Sequence, residues 1–580
     1  MTHMNQDSEL PALPLPSLEE SGDLAQELMK PLLDPEVFLE THKALQDFQR
    51  PGGVGKSLQE ALSAHKNSLP GNASWLRPLW DDAYLSWREA LPINMNYAFC
   101  LDARHWGQEN ALPSLLQALG LLFRHMGLGI LKPERASKGF LSMDQTQSCV
   151  YTRLPLLGCD ALYPVPLAGA LHIAVTRNGH WYILQLCNAA GSFASRAEIH
   201  RALHQIRSEA DHTTSPAITT FSAAPRAEAA ATRAELLTNP LNRQNLRALE
   251  SAVLVLCLDE THSSDEELNT RLLCGPAGHR FYDKSLQLIA TDNGGLGANL
   301  EHTGCDAGIW LYILQLADSI LTEQGTDQAR GLNPPPRRLE WQVSAALNAR
   351  LEKHAQDFAE VAKGLSLHPA IFPEFSRNAI KALGTSPDAF LQISFQAAQY
   401  QLFGKLKSSY ESVSMRSFAQ GRTEVCRAST AEAGRFAAAL ATGADRGILR
   451  DLYRQAEAAH LLRLERAQQG RGAERHFAGL QCMYTMYGPA LGLTEAPAIF
   501  SDPGWLTLKH DSLSTSSVGA PFIRYFGFGP VVGDGLGLGY SPAANSTNVL
   551  ISGYNGSSPA PRAFRAAFET VAGSLAAILK

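Results

Sequence analysis

Apolar residues recur at helical spacing from Ser17 to Ala64, in LAQELMKPLL and PEVFLETHKALQDF, and the turn signal RPGGVG interrupts them. The pattern changes at Leu167. LAGALHIAVTRNGHWYILQLC holds two strand-like runs joined by Arg177-Asn178-Gly179, which predicts a tight hairpin. A helix is expected over RAEIHRALHQIRSEA, then an exposed loop from Asp211 to Ala231, where Ser, Thr, Pro and Ala crowd. SAVLVLCLDE and SLQLIATDNGG read as buried strands. Gly331 to Trp341, GLNPPPRRLEW, is a stiff extended element of the kind that separates lobes. Beyond it helices are predicted over Ser386 to Leu406, Ala431 to Ala441 and Asp451 to Gln469, and Phe522 to Tyr540 reads as strand with a Gly-rich turn. Both halves therefore mix helix and sheet.

Composition narrows the function classes. A chain of 580 residues with 45% hydrophobic and 18% charged residues can bury large cores and is not a disordered tail protein. Its formal charge of -6 recommends neither nucleic acid nor an anionic membrane, so a polyanionic ligand must meet a local basic patch. Nine scattered cysteines without a Cys-x-x-Cys pair point to buried thiols in a reducing compartment, with no metal site expected. The start of the chain shows no export or transit pattern, and the most apolar run, Ala252 to Leu258, is too short to span a bilayer. A cytoplasmic protein without an integral membrane segment is expected.

Four clusters could carry chemistry. In Gly278 to Gly308 a strand-like run delivers Glu301-His302, with Asp306 four residues on; in a helix or tight turn His302 and Asp306 share a face, a plausible general-base arrangement beside the plainer reading of a satisfied structural histidine. Gly294 to Asn299, GGLGAN, lacks the spacing of a dinucleotide loop. In RNAIKALGTSPDAFLQ, Ser386 is a good helix cap, Pro387 suits the first turn and Asp388 complements the dipole, while Arg377 and Lys381 form a basic pair able to hold a phosphate. The third cluster is YESVSMRSFAQGRTEVCR, and the fourth runs from Ser514-Thr515-Ser516, whose hydroxyls can donate to an oxyanion, through GFGPVVGDGLGLGY.

In this order and spacing, LPLPSLEESGDLAQELMKPLL, RPGGVG, the His302 segment, SPDAFLQ, YESVSMRSFAQGRTE, ERHFAGL, LSTS and GFGPVVGDGLG resemble the choline/carnitine O-acyltransferase family, and within it the short-chain branch acting on carnitine. The resemblance implies an α/β protein of two similar lobes with the chloramphenicol acetyltransferase-like fold of CoA-dependent acyltransferases and an active-site tunnel at their interface. The expected organisation is a lead at 1–16, a CoA- and carnitine-binding lobe at 17–88 plus 341–580, and at 89–340 a lobe carrying the catalytic histidine. His302 would be the general base supported by Asp306, with Ser516 donating to the oxyanion and Ser514 lining its pocket. Tyr410, Thr423 and Arg475 would hold the carnitine carboxylate, and Phe528 the trimethylammonium. Arg377, standing where the family has lysine, Lys381 and Asp388 would lie along coenzyme A. Other departures are Ser517, where glutamine usually follows, and Ala307 beside Asp306.

Chain length rests on Phe526, four before Pro530, where medium- and long-chain branches have glycine; its ring would favour short acyl groups. The implied partners are carnitine and acyl-coenzyme A as co-substrate, with no bound cofactor, no nucleic acid and a monomeric state. The competing readings are a medium- or long-chain carnitine or choline acyltransferase, the related condensation chemistry, whose His-His-x-x-x-Asp-Gly signature Glu301 and Ala307 spoil, and a non-catalytic acyl-CoA-binding protein.

Overall fold

The computed structural model describes residues 7–107, 111–137, 139–210, 215–323, 332, 335–557 and 559–580. Two mixed sheets organise the chain. The larger has eight strands in the order Arg337–Leu339, His180–Cys187, Leu171–Arg177, Val255–Asp259, Leu286–Thr291, Leu296–Leu300, Tyr97–Leu101 and Ile523–Phe528. The smaller has six, Leu365–Phe372, Thr547–Tyr554, Leu536–Pro542, Leu513–Ser517, Ser409–Ser414 and Thr423–Cys426. Apolar helices cover the sheets, as the mixed pattern in both halves requires. Alternation along Tyr97–Leu101 sends Tyr97, Phe99 and Leu101 into one core and Ala98 and Cys100 into another, so this central strand is buried on both faces.

Leu171–Arg177 and His180–Cys187 pair antiparallel around Asn178-Gly179, both at positive φ, as that turn sequence dictates. The helix Pro387–Phe403 starts as expected and stops short of the expected Leu406. Ser386 accepts from the Ala389 amide, Pro387 opens the first turn, and Gly404 closes the helix in the left-handed conformation. Among the described residues, no helix is long and apolar enough to cross a membrane.

One expectation is corrected. Residues 211–214 lie outside the described residues, but the rest of the supposed exposed loop is structured: Ile218–Ala223 forms a wholly buried 3-10 turn, and a helix starts at Arg226. Ile218, Phe221 and Ala223 supply apolar contacts, while Thr220 donates to the Leu351 carbonyl and Ser222 to the Thr219 carbonyl, so these two hydroxyls are satisfied internally although that of Thr219 is buried without a partner among the described residues. The segment Phe522 to Tyr540 is strand with a Gly-rich turn, as expected, but its two strands belong to different sheets. Ile523–Phe528 joins the larger sheet beside Tyr97–Leu101, and Leu536–Pro542 lies in the smaller one. The two strands cross closely because Gly539 has no side chain; a Cβ there would lie 1.8 Å from the Phe526 carbonyl oxygen. One strand from the C-terminal half thus ties the two sheets together.

The proline-rich segment continues into Arg337–Leu339, an edge strand paired with Trp181–Ile183. The following helix, Ala345–Lys363, places Leu347, Leu351 and Phe358 on the core of the larger sheet.

Candidate active site

His302 sits in an irregular loop between the strand Leu296–Leu300 and the helix Ala307–Glu323. Its neighbour Glu301 anchors that loop from within. Glu301 is buried, accepts from the Tyr151 hydroxyl, from Thr303 Oγ1 at 2.5 Å and from the Thr303 amide at 3.1 Å, and lies 3.5 Å from Arg153. Gly304 is required beside it, because a Cβ there would lie 2.4 Å from the Tyr151 ring. The imidazole stands edge-on to Tyr97 and Tyr84, with centroids 5.2 and 6.0 Å away.

The orientation of the ring fixes its chemistry. His302 Nδ1 donates to the Cys305 carbonyl at 3.1 Å, since a carbonyl can only accept. The lone pair of neutral imidazole is therefore on Nε2, the nitrogen available as a base. Asp306 is 3.8 Å from Nδ1, an electrostatic partner without a hydrogen bond. Its hydrogen bonds go to Arg422 Nε at 3.1 Å and Gln145 Nε2 at 3.0 Å, and its amide donates to Gln145 Oε1 at 2.7 Å. Burial raises the Asp306 pKa, but the Arg422 guanidinium, the nearby imidazole and the Gln145 hydrogen bond outweigh it and hold the carboxyl below its usual range.

Arg422 also donates to the carbonyls of Thr303, at 2.8 Å, and His302, at 3.2 Å. It pins the histidine loop to the smaller sheet.

The opposite wall comes from three neighbouring strands. Tyr410, Ser412 and Ser414 alternate along Ser409–Ser414, Thr423 pairs with Ser414, and Ser514 pairs with Tyr410 in the parallel register. Period-two alternation puts Ser514 and Ser516 on one face of their strand. Between them Thr515 donates to the Tyr410 carbonyl at 2.8 Å and accepts from Gln392 at 2.9 Å. Arg475, near the start of the helix Glu474–Tyr487, reaches the same face. It donates to the Thr423 carbonyl at 3.0 Å, the Tyr410 hydroxyl at 3.1 Å and Thr423 Oγ1 at 3.4 Å, over the Trp80 ring at 4.6 Å. Arg422 has Asp306 and Arg427 has Glu474 and Asp511 as ion-pair partners; among the described residues, no carboxylate pairs with Arg475.

These walls enclose a cavity of about 540 Å³ with a largely apolar lining. His302, Asp306, Tyr410, Thr423, Arg475, Ser514, Ser516, Phe526 and Phe528 all line it, contributed by both sheets. Arg377, Lys381 and Asp388 do not. Arg377 and Lys381 lie exposed on the short helix Arg377–Ala382, where Arg377 donates to the Pro542 carbonyl at 2.9 Å. Asp388 accepts from the Tyr540 hydroxyl at 2.7 Å and lies 3.1 Å from His460 Nε2.

The sequence reading passed over Arg422, Gln145, Trp80 and Tyr84. Arg422 stands beside Thr423 in a quoted motif, and only the tertiary contact assigns it. Trp80 lies under Arg475 and Arg422, and its indole Nε1 is buried without a hydrogen-bond partner beside the cavity it lines. Glu411, Cys426 and His460 bring possible metal-ligating atoms within 4.8 Å of one another, but none lines the cavity. Burial pushes the Glu411 carboxyl and the Cys426 thiol well above their ordinary values.

The sequence comparisons agree on one family. The family model described as Choline/Carnitine o-acyltransferase matches residues 13–570. Carnitine O-acetyltransferase of Columba livia is 27% identical over 574 residues, covering 94% of this chain and 89% of its own. The mitochondrial carnitine O-palmitoyltransferase 2 of Rattus norvegicus is 27% identical over 599 residues, covering 95% and 89%. Human carnitine O-acetyltransferase is 26% identical over 585 residues, covering 95% and 90%. Overall identity does not separate acetyl from palmitoyl relatives.

Proposed function

Because the chain belongs to the choline/carnitine O-acyltransferase family and is an acyl-CoA-dependent acyltransferase, we propose that it moves a short acyl group reversibly between coenzyme A and the hydroxyl of carnitine. The observation that carries the choice of acceptor is Arg475, a cavity-lining guanidinium with two hydroxyls on its donors and, among the described residues, no carboxylate within ion-pair distance. Such a group is complementary to a substrate carboxylate. Choline has none to offer.

In the proposed reaction His302 Nε2 accepts the proton of the carnitine hydroxyl as its oxygen attacks the thioester carbonyl carbon. The carbon–oxygen bond forms, and the carbonyl oxygen becomes an oxyanion to which Ser516 donates, with Ser514 lining the same wall. The carbon–sulfur bond then breaks, and the departing thiolate recovers the proton from His302. No acyl-enzyme forms. The Nδ1 hydrogen bond to Cys305 supports this assignment by fixing the tautomer, and Asp306 lends negative charge without taking the proton. Phe528 faces the trimethylammonium, where cation–π attraction contributes about 0.5–2 kcal/mol.

Coenzyme A is proposed to run past Asp388, with Arg377 and Lys381 toward its 3'-phosphate; the exposure of both cations suits a phosphate that stays near solvent. Phe526 closes the acyl end of the cavity and favours short groups. The lobes are proposed at 17–88 plus 341–580 and 89–340, with Ile523–Phe528 crossing between them. Free-thiol release from acetyl-CoA, with carnitine or choline as acceptor, tests the proposal. Carnitine-dependent release is expected, and equal or faster release with choline would overturn the choice of acceptor.

A further inference from the structure

Behind Phe526, which closes the acyl end of the cavity, stands a second aromatic ring. The register of the larger sheet sets Phe526 opposite Phe99, Phe99 opposite Ala298, and Ala298 opposite Leu288, a single row across four adjacent strands. All four residues belong to the same core, beneath the helices Ala111–Gly127 and Ala307–Glu323. The Phe526 and Phe99 rings lie 5.6 Å apart between centroids, a tilted aromatic pair. Phe526 lines the cavity, whereas Phe99 is fully buried immediately behind it. The next position in the row, Ala298, carries only a methyl group. Tyr97 also touches Phe526, with centroids 6.0 Å apart, but it already lines the cavity and packs on His302, so it forms the side of the chamber and not its end.

Adjacent strands are about 4.8 Å apart, so each position in the row is one strand's width deeper into the core. Removing the Phe526 ring deepens the chamber by one such step, to a floor made by Phe99. Removing both opens a path two steps long toward Ala298, with no third aromatic ring in the row.

We infer that Phe99 is a second stop behind Phe526, one that sets the reach of the acyl tail once the Phe526 ring no longer blocks it. This inference rests on the acyl-transfer reading. It adds to the cavity-lining position a specificity-determining residue that touches neither the substrate nor the cavity in the wild-type protein. The effect is ordered, since the inner ring matters only after the outer one is gone.

The test is a set of chain-length profiles, kcat/KM with carnitine for acetyl-, hexanoyl-, octanoyl-, lauroyl- and palmitoyl-CoA, measured for wild type, Phe526→Gly, Phe99→Ala and the double variant. Phe99→Ala is expected to keep the wild-type order of substrates, because Phe526 still closes the chamber. Phe526→Gly moves the optimum to medium chains and stops there. The double variant raises kcat/KM for lauroyl- and palmitoyl-CoA about tenfold or more over Phe526→Gly, the scale on which a hydrophobic pocket discriminates even single methylenes. If truncation at Phe99 costs the fold, as loss of acetyl transfer together with an early thermal transition would show, Phe526→Gly/Phe99→Leu is read in its place and gives an intermediate extension. Superimposed profiles for Phe526→Gly and the double variant would overturn the inference, as would lengthening by Phe99→Ala alone. A wild type inactive with every acyl-CoA and carnitine would instead refute the underlying activity, while a Phe526→Gly variant that accepts palmitoyl-CoA without help defeats only the second stop.

Discussion

Replacing Arg475 by asparagine removes the guanidinium that donates to Tyr410 and Thr423 in the cavity and leaves those two hydroxyls to hold the acceptor. Breaking a fully buried ion pair by deleting one partner costs about 3–5 kcal/mol. Arg475 is half-buried at an open cavity, so the solvent that still reaches the pair reduces this to about 2–4 kcal/mol. At 1.36 kcal/mol per factor of ten, that is a loss of roughly 30- to 900-fold in kcat/KM for carnitine. The carboxylate is remote from the reacting hydroxyl and equally bound in ground and transition states, so the loss falls on KM while kcat changes little. Choline forfeits nothing, so its kcat/KM stays within a few-fold and the preference for carnitine collapses. Steady-state thiol release with both acceptors at saturating acetyl-CoA measures this directly. A carnitine kcat/KM within about threefold of wild type would refute the assignment of Arg475 to the carboxylate, and a loss confined to kcat would show that it acts elsewhere.

His302→Ala is expected to lower kcat by a factor of about a hundred to ten thousand with the melting temperature nearly unchanged, and near-normal turnover would remove it from the mechanism. Ser516→Ala should cost about a hundredfold to a thousandfold in kcat and little in KM; a pure KM effect would argue against oxyanion donation. Arg422→Gln strands the buried Asp306 carboxylate and unpins the His302 loop, so denaturant unfolding should show a loss of about 3–5 kcal/mol, and an unchanged midpoint would contradict the contact. Burial pulls the Lys284 ammonium down to about 7, against an ordinary value of 10.5, so between those pH values the unfolded chain holds a proton the folded chain lacks. Stability should therefore rise with pH across that window by up to about 1.4 kcal/mol per unit relative to Lys284→Met; parallel pH profiles for the two proteins would contradict it.

Local rules made some elements legible. Asn178-Gly179 and the Ser386-Pro387 start announce their turn and helix because the information lies within a few residues of the conformation. The same logic goes only part of the way at Phe522 to Tyr540. The strand character and the Gly-rich turn are legible, but sheet membership is decided by Tyr97–Leu101, more than 400 residues earlier in the chain. Ile218–Ala223 fails for a related reason, since Ser and Thr suggest solvent until Leu351 and Phe281 supply the partners that bury them. At the site, motif order pointed to nine residues that line one cavity, yet it could not assign Arg422, 116 positions from Asp306, or Gln145, 161 positions away. Spacing alone suggested a His302–Asp306 pair. The structure gives His302 Nδ1 to a carbonyl and Asp306 to an arginine, a division that only tertiary packing can make.

Direct transfer, with His302 moving one proton and no acyl-enzyme, is the central claim. It is tested by mixing the enzyme at substrate-level concentration with acetyl-CoA labelled in the acetyl group, first without and then with carnitine, and following free thiol, labelled protein and labelled acetylcarnitine together. Without carnitine, neither thiol nor labelled protein should appear; on its addition, thiol and acetylcarnitine should form one for one, and His302→Ala should slow both equally. A stoichiometric burst of thiol with label retained on the protein before any carnitine is present would contradict the account.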